Sequence, residues 1–179
     1  MKRAPVFWFT GLSGAGKSTV AGGARDILVA EGRQVLILDG DDIRAKLHRD
    51  LGFSREDVRT NNTLIADLCD ERRSRYDAIL VPVISPYADI RAQVRQSQSP
   101  GFFEIFCDTG LEIVRARDTK GLYRREAKGQ IADLIGVSES TPYEAPKAPD
   151  LQLPTGSGAP GKAVDLLLGF IRTQLSMAA

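Results

Sequence analysis

Gly11-Leu12-Ser13-Gly14-Ala15-Gly16-Lys17-Ser18-Thr19 decides how this chain is read. The stretch fits G-x-x-x-x-G-K-[ST] with every fixed position filled. The apolar run Val6-Phe7-Trp8-Phe9 before it reads as a buried strand, and the run Val20 to Ala30 after it reads as a helix. Glycines let a loop turn its backbone N–H groups inward without a Cβ clash. Those groups, with the positive end of the following helix, make a phosphate site. In that arrangement Lys17 reaches the β- and γ-phosphates of a nucleoside triphosphate and the Ser18 hydroxyl holds Mg²⁺.

Working outward, strand-like and helix-like runs alternate. Gln34–Leu38 reads as a second buried strand ending at Asp39-Gly40-Asp41-Asp42, followed by a short helix over 42–48. Ser54, with Glu56 and Asp57 behind it, reads as the N-cap of a helix reaching about Arg75. Asp77–Ser85 is a third strand, with a ladder break expected near Pro82 because proline has no N–H to donate. Residues 86–97 read as a helix with Pro86 in its first turn. Phe102–Cys107 is the fourth strand, 111–118 a helix, 120–135 a basic helical lid, and Leu151–Leu153 a short fifth strand. A closing helix spans 162–175. This alternation predicts an α/β fold, a parallel sheet with helices on both faces.

At 179 residues, with 42% apolar and 26% charged residues, the chain reads as a single domain with one core. A net charge of +1 gives no whole-molecule field for nucleic acid. No apolar run nears membrane-spanning length, and none at the start has the form of a secretory signal. Cys69 and Cys107 lack metal-ligand spacing and read as buried thiols. The expected location is therefore the cytoplasm. His48, the single histidine, reads as a helix-surface residue without a role, and Trp8 and Tyr87 as packing residues.

Two strands end in an acid, Asp39 and Asp108. Asp39 is favoured for the metal because Asp41 and Asp42 gather beside it at a strand's carboxyl end, where open α/β sheets bind ligands. The plainer reading of Asp39 is a helix cap. Arg115, Arg117, Lys120, Arg124, Arg125 and Lys128 lie within fourteen residues. Such an excess suits a lid that closes over polyphosphate and excludes water.

Several stretches, taken in order, resemble the adenylylsulfate kinase family. They are the loop at 11–18, Leu-Asp-Gly-Asp-Asp-Ile-Arg (38–44), Asp-Leu-Gly-Phe-Ser (50–54) and Ile-Ser-Pro-Tyr (84–87). Arg-Asp-Thr-Lys-Gly-Leu-Tyr (117–123), Tyr-Glu-Ala-Pro (143–146) and Ala-Pro-Asp-Leu (148–151) continue the series. The resemblance implies a three-layer P-loop kinase fold with a five-stranded parallel sheet and a lid near 119–136. It implies ATP and Mg²⁺, and transfer of phosphate to the ribose 3′-hydroxyl of adenosine 5′-phosphosulfate, a step of sulfate assimilation.

Residue by residue, it implies that Asp39 and Asp41 serve the metal and the accepting hydroxyl. Arg44 would contact the phosphosulfate, and Phe53 would stack on the acceptor's adenine. Arg59 and Asn62 match an arginine and asparagine three apart, provided one extra residue is allowed after Phe53. Ile84 and Ser85 would contact the acceptor, the serine being a phosphoserine in the family. Lys120 matches the lid lysine, and Arg117 and Thr155 belong to the ATP site. A homodimer is compatible, since dimers occur in the family.

The sequence departs from the pattern on the acceptor side. Thr63-Leu64-Ile65 stands where an aliphatic residue and two arginines are usual. Leu134 replaces the second aromatic of a base sandwich, and Pro82 a small residue. The competing expectations are a kinase of the same fold with another nucleotide or small anionic acceptor, and a nucleotide-binding switch. A switch needs a water-orienting residue and elements that report the γ-phosphate. The chain shows no such segment, and the basic lid favours a kinase.

Overall fold

A computed structural model describes residues 3–47 and 49–177. The first strand, β1 (Val6–Thr10), is buried along its whole length. Its side chains alternate between two faces, as a pleated strand requires. Phe7 and Phe9 point into one core layer with α1 (Lys17–Ala30) and α7 (Pro160–Met177). Val6 and Trp8 point into the other, with Ile65, Ala66 and Cys69 of α3 (Arg55–Arg72) and Val94 of α4 (Ala88–Gln98). The remaining elements are β2 (Val35–Ile37), α2 (Gly40–Lys46), β3 (Ala78–Pro82), β4 (Phe102–Cys107), α5 (Leu111–Arg117), α6 (Leu122–Ala127) and β5 (Leu151–Leu153).

The five strands form one parallel sheet in the order β2-β3-β1-β4-β5, with helices on both faces. The sheet order reverses beside β1, which sits centrally between β3 and β4. The loop after β1 therefore opens at the carboxyl ends of three neighbouring strands, where such sheets bind ligands.

Several details correct the sequence reading. β2 is a half-buried edge strand of three residues rather than a buried strand of five. Its helix α2 begins at Gly40, two residues early, because Asp39 itself is the N-cap. The predicted end of that helix at His48 lies outside the described residues. Pro82 ends β3, as the missing donor predicts; its register with Phe9 of β1 holds to that point. Pro86 lies before α4, whose N-cap is Tyr87. The lid is helical only over α6; Gly129 and Gly136 both have positive φ and the rest is turns. Ser54 caps α3 as expected, accepting from the Asp57 N–H at 3.1 Å and donating to the Asp57 carboxylate at 2.7 Å. Cys69, Cys107, Trp8 and Tyr87 are all buried. Among the described residues no helix is long and apolar enough to cross a membrane.

Candidate active site

The glycine loop joins β1 to α1. Gly11 adopts φ +148°, and a Cβ there would sit 2.8 Å from the Cys107 carbonyl oxygen, so the loop can lie on β4 only with glycine. Ser13, Gly14, Gly16, Lys17, Ser18 and Thr19 line one side of a cleft. Leu12 and Ala15 are buried beneath them. Lys17 is buried, and its Nζ donates to the carbonyls of Gly11 and Leu12, both at 2.8 Å. Burial outweighs the nearby carboxylates and lowers its pKa from 10.5 to about 8.

Ser18 Oγ donates to Asp39 at 2.5 Å. The other Asp39 oxygen accepts the Asp41 N–H at 2.9 Å, so Asp39 caps α2 while its second oxygen faces Ser18 of the glycine loop. Asp41 lies one residue into the helix, exposed in the cleft, and pairs with Lys120 of the lid. Gly40 permits this approach: a Cβ there would meet Val83 Cγ2 at 2.9 Å.

The opposite wall carries Arg44, Phe53, Val58, Asn61, Asn62, Ile84, Ser85 and Ile135. Phe53 is 54% exposed. The Arg44 guanidinium lies 4.6 Å from its ring centroid while donating to the Leu51 and Gly52 carbonyls at 2.8 and 2.7 Å. Arg44 thus pins the loop that presents Phe53. Asn62 is buried and donates to Ser85 Oγ at 2.7 Å. On the far side, Arg117 donates to the Thr155 and Gly156 carbonyls at 2.9 and 3.1 Å. Thr155 shares a 2.7 Å hydroxyl contact with Thr109.

Arg117 and Thr155 of the expected ATP site do not line the cleft, and two residues expected on the opposite wall do not reach it. Arg59 faces outward, donating to Gln93 at 2.8 Å and to Asp89 at 3.0 Å. Helix α3 runs unbroken from Arg55, directly after its Ser54 cap, and shows no bulge that would mark the extra residue assumed after Phe53. Without it the pair three apart falls on Val58 and Asn61, and these line the cleft. Counting the helix without a gap would have found them. Leu134 is the second correction: it packs into the core layer of β1 and α1, and its neighbour Ile135 lines the cleft. Leu134→Phe is therefore expected to overpack that layer and lower stability by about 1–3 kcal/mol in urea unfolding, without tightening any ligand.

Tyr123 carried no sequence signal beyond its motif. Its hydroxyl donates to the Ser13 carbonyl at 2.8 Å, tying α6 to the glycine loop, and burial pushes its pKa up to about 12. Asp108, the alternative strand-end acid, accepts from Gln152 at 2.8 Å and does not line the cleft.

A family model for adenylylsulphate kinase matches residues 3–154. The chain belongs to the adenylylsulphate kinase family. The adenylyl-sulfate kinase of Deinococcus deserti is 46% identical over 150 residues, 84% of this chain and 81% of that protein. The probable adenylyl-sulfate kinase of Bacillus subtilis is 38% identical over 175 residues, 97% of this chain and 88% of that one. Among solved structures, the APS kinase of Mycobacterium tuberculosis in complex with AMPPNP and APS superposes with a TM-score of 0.85. It is 37% identical and covers 98% of this chain and 99% of that one. Family membership gives the kinase reading of the cleft its weight, and the two relocated positions, Val58 and Ile135, both fall on the wall opposite the glycine loop.

Proposed function

We propose that this protein transfers the γ-phosphoryl group of ATP to the ribose 3′-hydroxyl of adenosine 5′-phosphosulfate. The observation that carries this is one cleft with Lys17 and Ser18 on one wall, Arg44, Phe53 and Ser85 on the other, and Asp41 between them. The glycine loop holds the ATP phosphates, with Arg117 and Thr155 at the base end. Asp41 accepts the proton of the attacking hydroxyl, and Lys120 crosses the cleft from the lid to reach the same carboxylate. Arg44 holds Phe53 where an adenine can stack on its open face. Ser85 contacts the acceptor beside Ile84, and a direct in-line transfer does not need the serine to be phosphorylated. The protein acts as one kinase domain, with the lid near 119–136, on small nucleotide substrates.

Ser18 and Asp39 supply hard oxygen donors 2.5 Å apart beside the loop, a set that fits Mg²⁺ sharing its coordination with phosphates and water. Mg²⁺ held there would neutralise charge developing on the phosphates.

The test is to incubate the protein with ATP, Mg²⁺ and a panel of nucleotide acceptors and identify products by mass. Phosphorylation of adenosine 5′-phosphosulfate is expected. Val58 and Ile135 make part of the acceptor wall apolar, which favours a second reading: a related nucleotide as the better acceptor. A product from another acceptor, with none from adenosine 5′-phosphosulfate, would establish it. Consumption of ATP with water alone would instead indicate a switch.

Lys17 gives a pH expectation. Its ammonium form persists below about pH 8 and is lost above it. Phosphate binding needs that form, so ATP affinity should be level below pH 8. Above it, affinity should fall by up to about tenfold per pH unit. Calorimetric titration between pH 7.5 and 9.5 checks this; a Lys17→Met variant should give a flat profile.

A further inference from the structure

Behind the acceptor wall, outside the cleft, lies a buried ion pair. Arg91 of α4 and Glu104 of β4 meet at 2.6 Å, with side chains 4% and 11% exposed. The two other nitrogens of Arg91 each donate to a backbone carbonyl. Nη1 donates to Ser85 at 2.8 Å and Nη2 to Glu144 at 2.7 Å. Ser85 has φ +44°, a conformation that side-chain-bearing residues seldom adopt and that persists only when its surroundings hold it. Its carbonyl also accepts from Thr10 Oγ1 at 3.1 Å, and its Oγ from Asn62 at 2.7 Å. Glu144 fastens the other end, accepting the Ala88 N–H at 2.7 Å and donating its own N–H to the Pro86 carbonyl at 2.9 Å.

Resting on the acceptor reading above, we propose that Arg91, held by Glu104, is a positioning residue that fixes the Ser85 backbone and so the acceptor-binding geometry. A guanidinium can do this because its planar fork serves one carboxylate and two carbonyls at once, which a lysine ammonium on a flexible stem does not match. Arg91 makes no hydrogen bond to the glycine loop, whose own link to this segment is the long Gly11 N–H bond to the Ile84 carbonyl at 3.4 Å, so the effect falls chiefly on the acceptor. Ser85 touches the acceptor, and Arg91 acts through it.

The experiment measures KM for ATP and for the acceptor, kcat, and thermal midpoint for the wild type, Arg91→Lys, Arg91→Met and Glu104→Gln. The acceptor is whichever nucleotide the wild type phosphorylates best in the panel, so a wrong choice of acceptor is exposed by the wild type alone. Arg91→Met leaves Glu104 only the longer contact to Arg95 at 3.5 Å and is expected to lower the midpoint. Arg91→Lys keeps a cation beside Glu104 and is expected to regain most of that midpoint. It should still raise acceptor KM about tenfold or more, the scale of one lost hydrogen bond from a charged donor. ATP KM should change less than about twofold, within the scatter of an untouched site. Should Arg91→Met fail to fold, Arg91→Lys and Glu104→Gln carry the test. A folded Arg91→Lys protein with unchanged acceptor KM, or with both KM values raised together, would overturn the positioning role.

Discussion

Lys17→Ala is expected to lose phosphoryl transfer by at least about 10²-fold, the scale for removing one preorganised electrostatic donor from an active site. The lysine is buried, and its ammonium is held by two loop carbonyls at 2.8 Å. Desolvation has lowered its pKa from 10.5 to about 8. At 1.36 kcal/mol per unit, the folded protein carries this charge at a cost of about 3 kcal/mol. The carbonyls and nearby carboxylates do not offset that cost; the charge becomes useful when phosphate oxygens arrive. Lys17→Met, which keeps the apolar stem and deletes the charge, should therefore lose transfer as severely. Its thermal midpoint should be no lower than that of the wild type. Turnover near the wild-type level in either variant would place the phosphate site elsewhere.

Asp41→Asn should depress transfer by about 10²–10⁴-fold, the usual contribution of a general base. Binding of ATP should change much less, because Asp41 faces the cleft and reaches Lys17 of the glycine loop only through its charge. Asp39 and Asp41 are not equivalent. Both Asp39 oxygens are engaged, one by Ser18 and one by the Asp41 N–H, so Asp39 is fixed on the phosphate side. The Asp41 carboxylate pairs with Lys120 in an exposed ion pair, the kind that contributes little to stability. Asp41→Asn should thus leave the unfolding midpoint alone while removing the proton acceptor. Asp39→Asn should instead raise the Mg²⁺ concentration needed for turnover. Rate measurements across a Mg²⁺ titration separate the two, with Asp108→Asn as the variant that changes neither.

The glycine loop, the strand–helix alternation, the Ser54 cap and the acid pair at the end of β2 are local features. Each depends on residues a few positions apart, and so each was legible in the chain. The same holds for Pro82 as the end of β3, since a missing N–H ends a ladder whatever the surroundings.

The acceptor wall was legible only in part. Arg44 and Phe53 stood in two separate short motifs, yet that the arginine holds the phenylalanine in place depends on how residues 51–53 fold back on α2. Arg59 and Leu134 were misplaced by a single residue each. A one-residue shift moves a helical side chain by about 100° at 3.6 residues per turn, which turned Val58 into the cleft and Arg59 out of it. At Leu134 the choice between core and cleft was made by packing against the layer of β1 and α1, to which a lone apolar residue in a turn gives no periodic clue. The clamp of Arg91 on Ser85 joins α4, β4 and the segment around Glu144, up to 53 positions apart. From sequence alone, then, came the nucleotide half of this protein, because a phosphate loop is built from one continuous stretch. The acceptor half was decided by the tertiary structure, because its wall is assembled from side chains that only the packing of α3, α4 and the lid brings to one place.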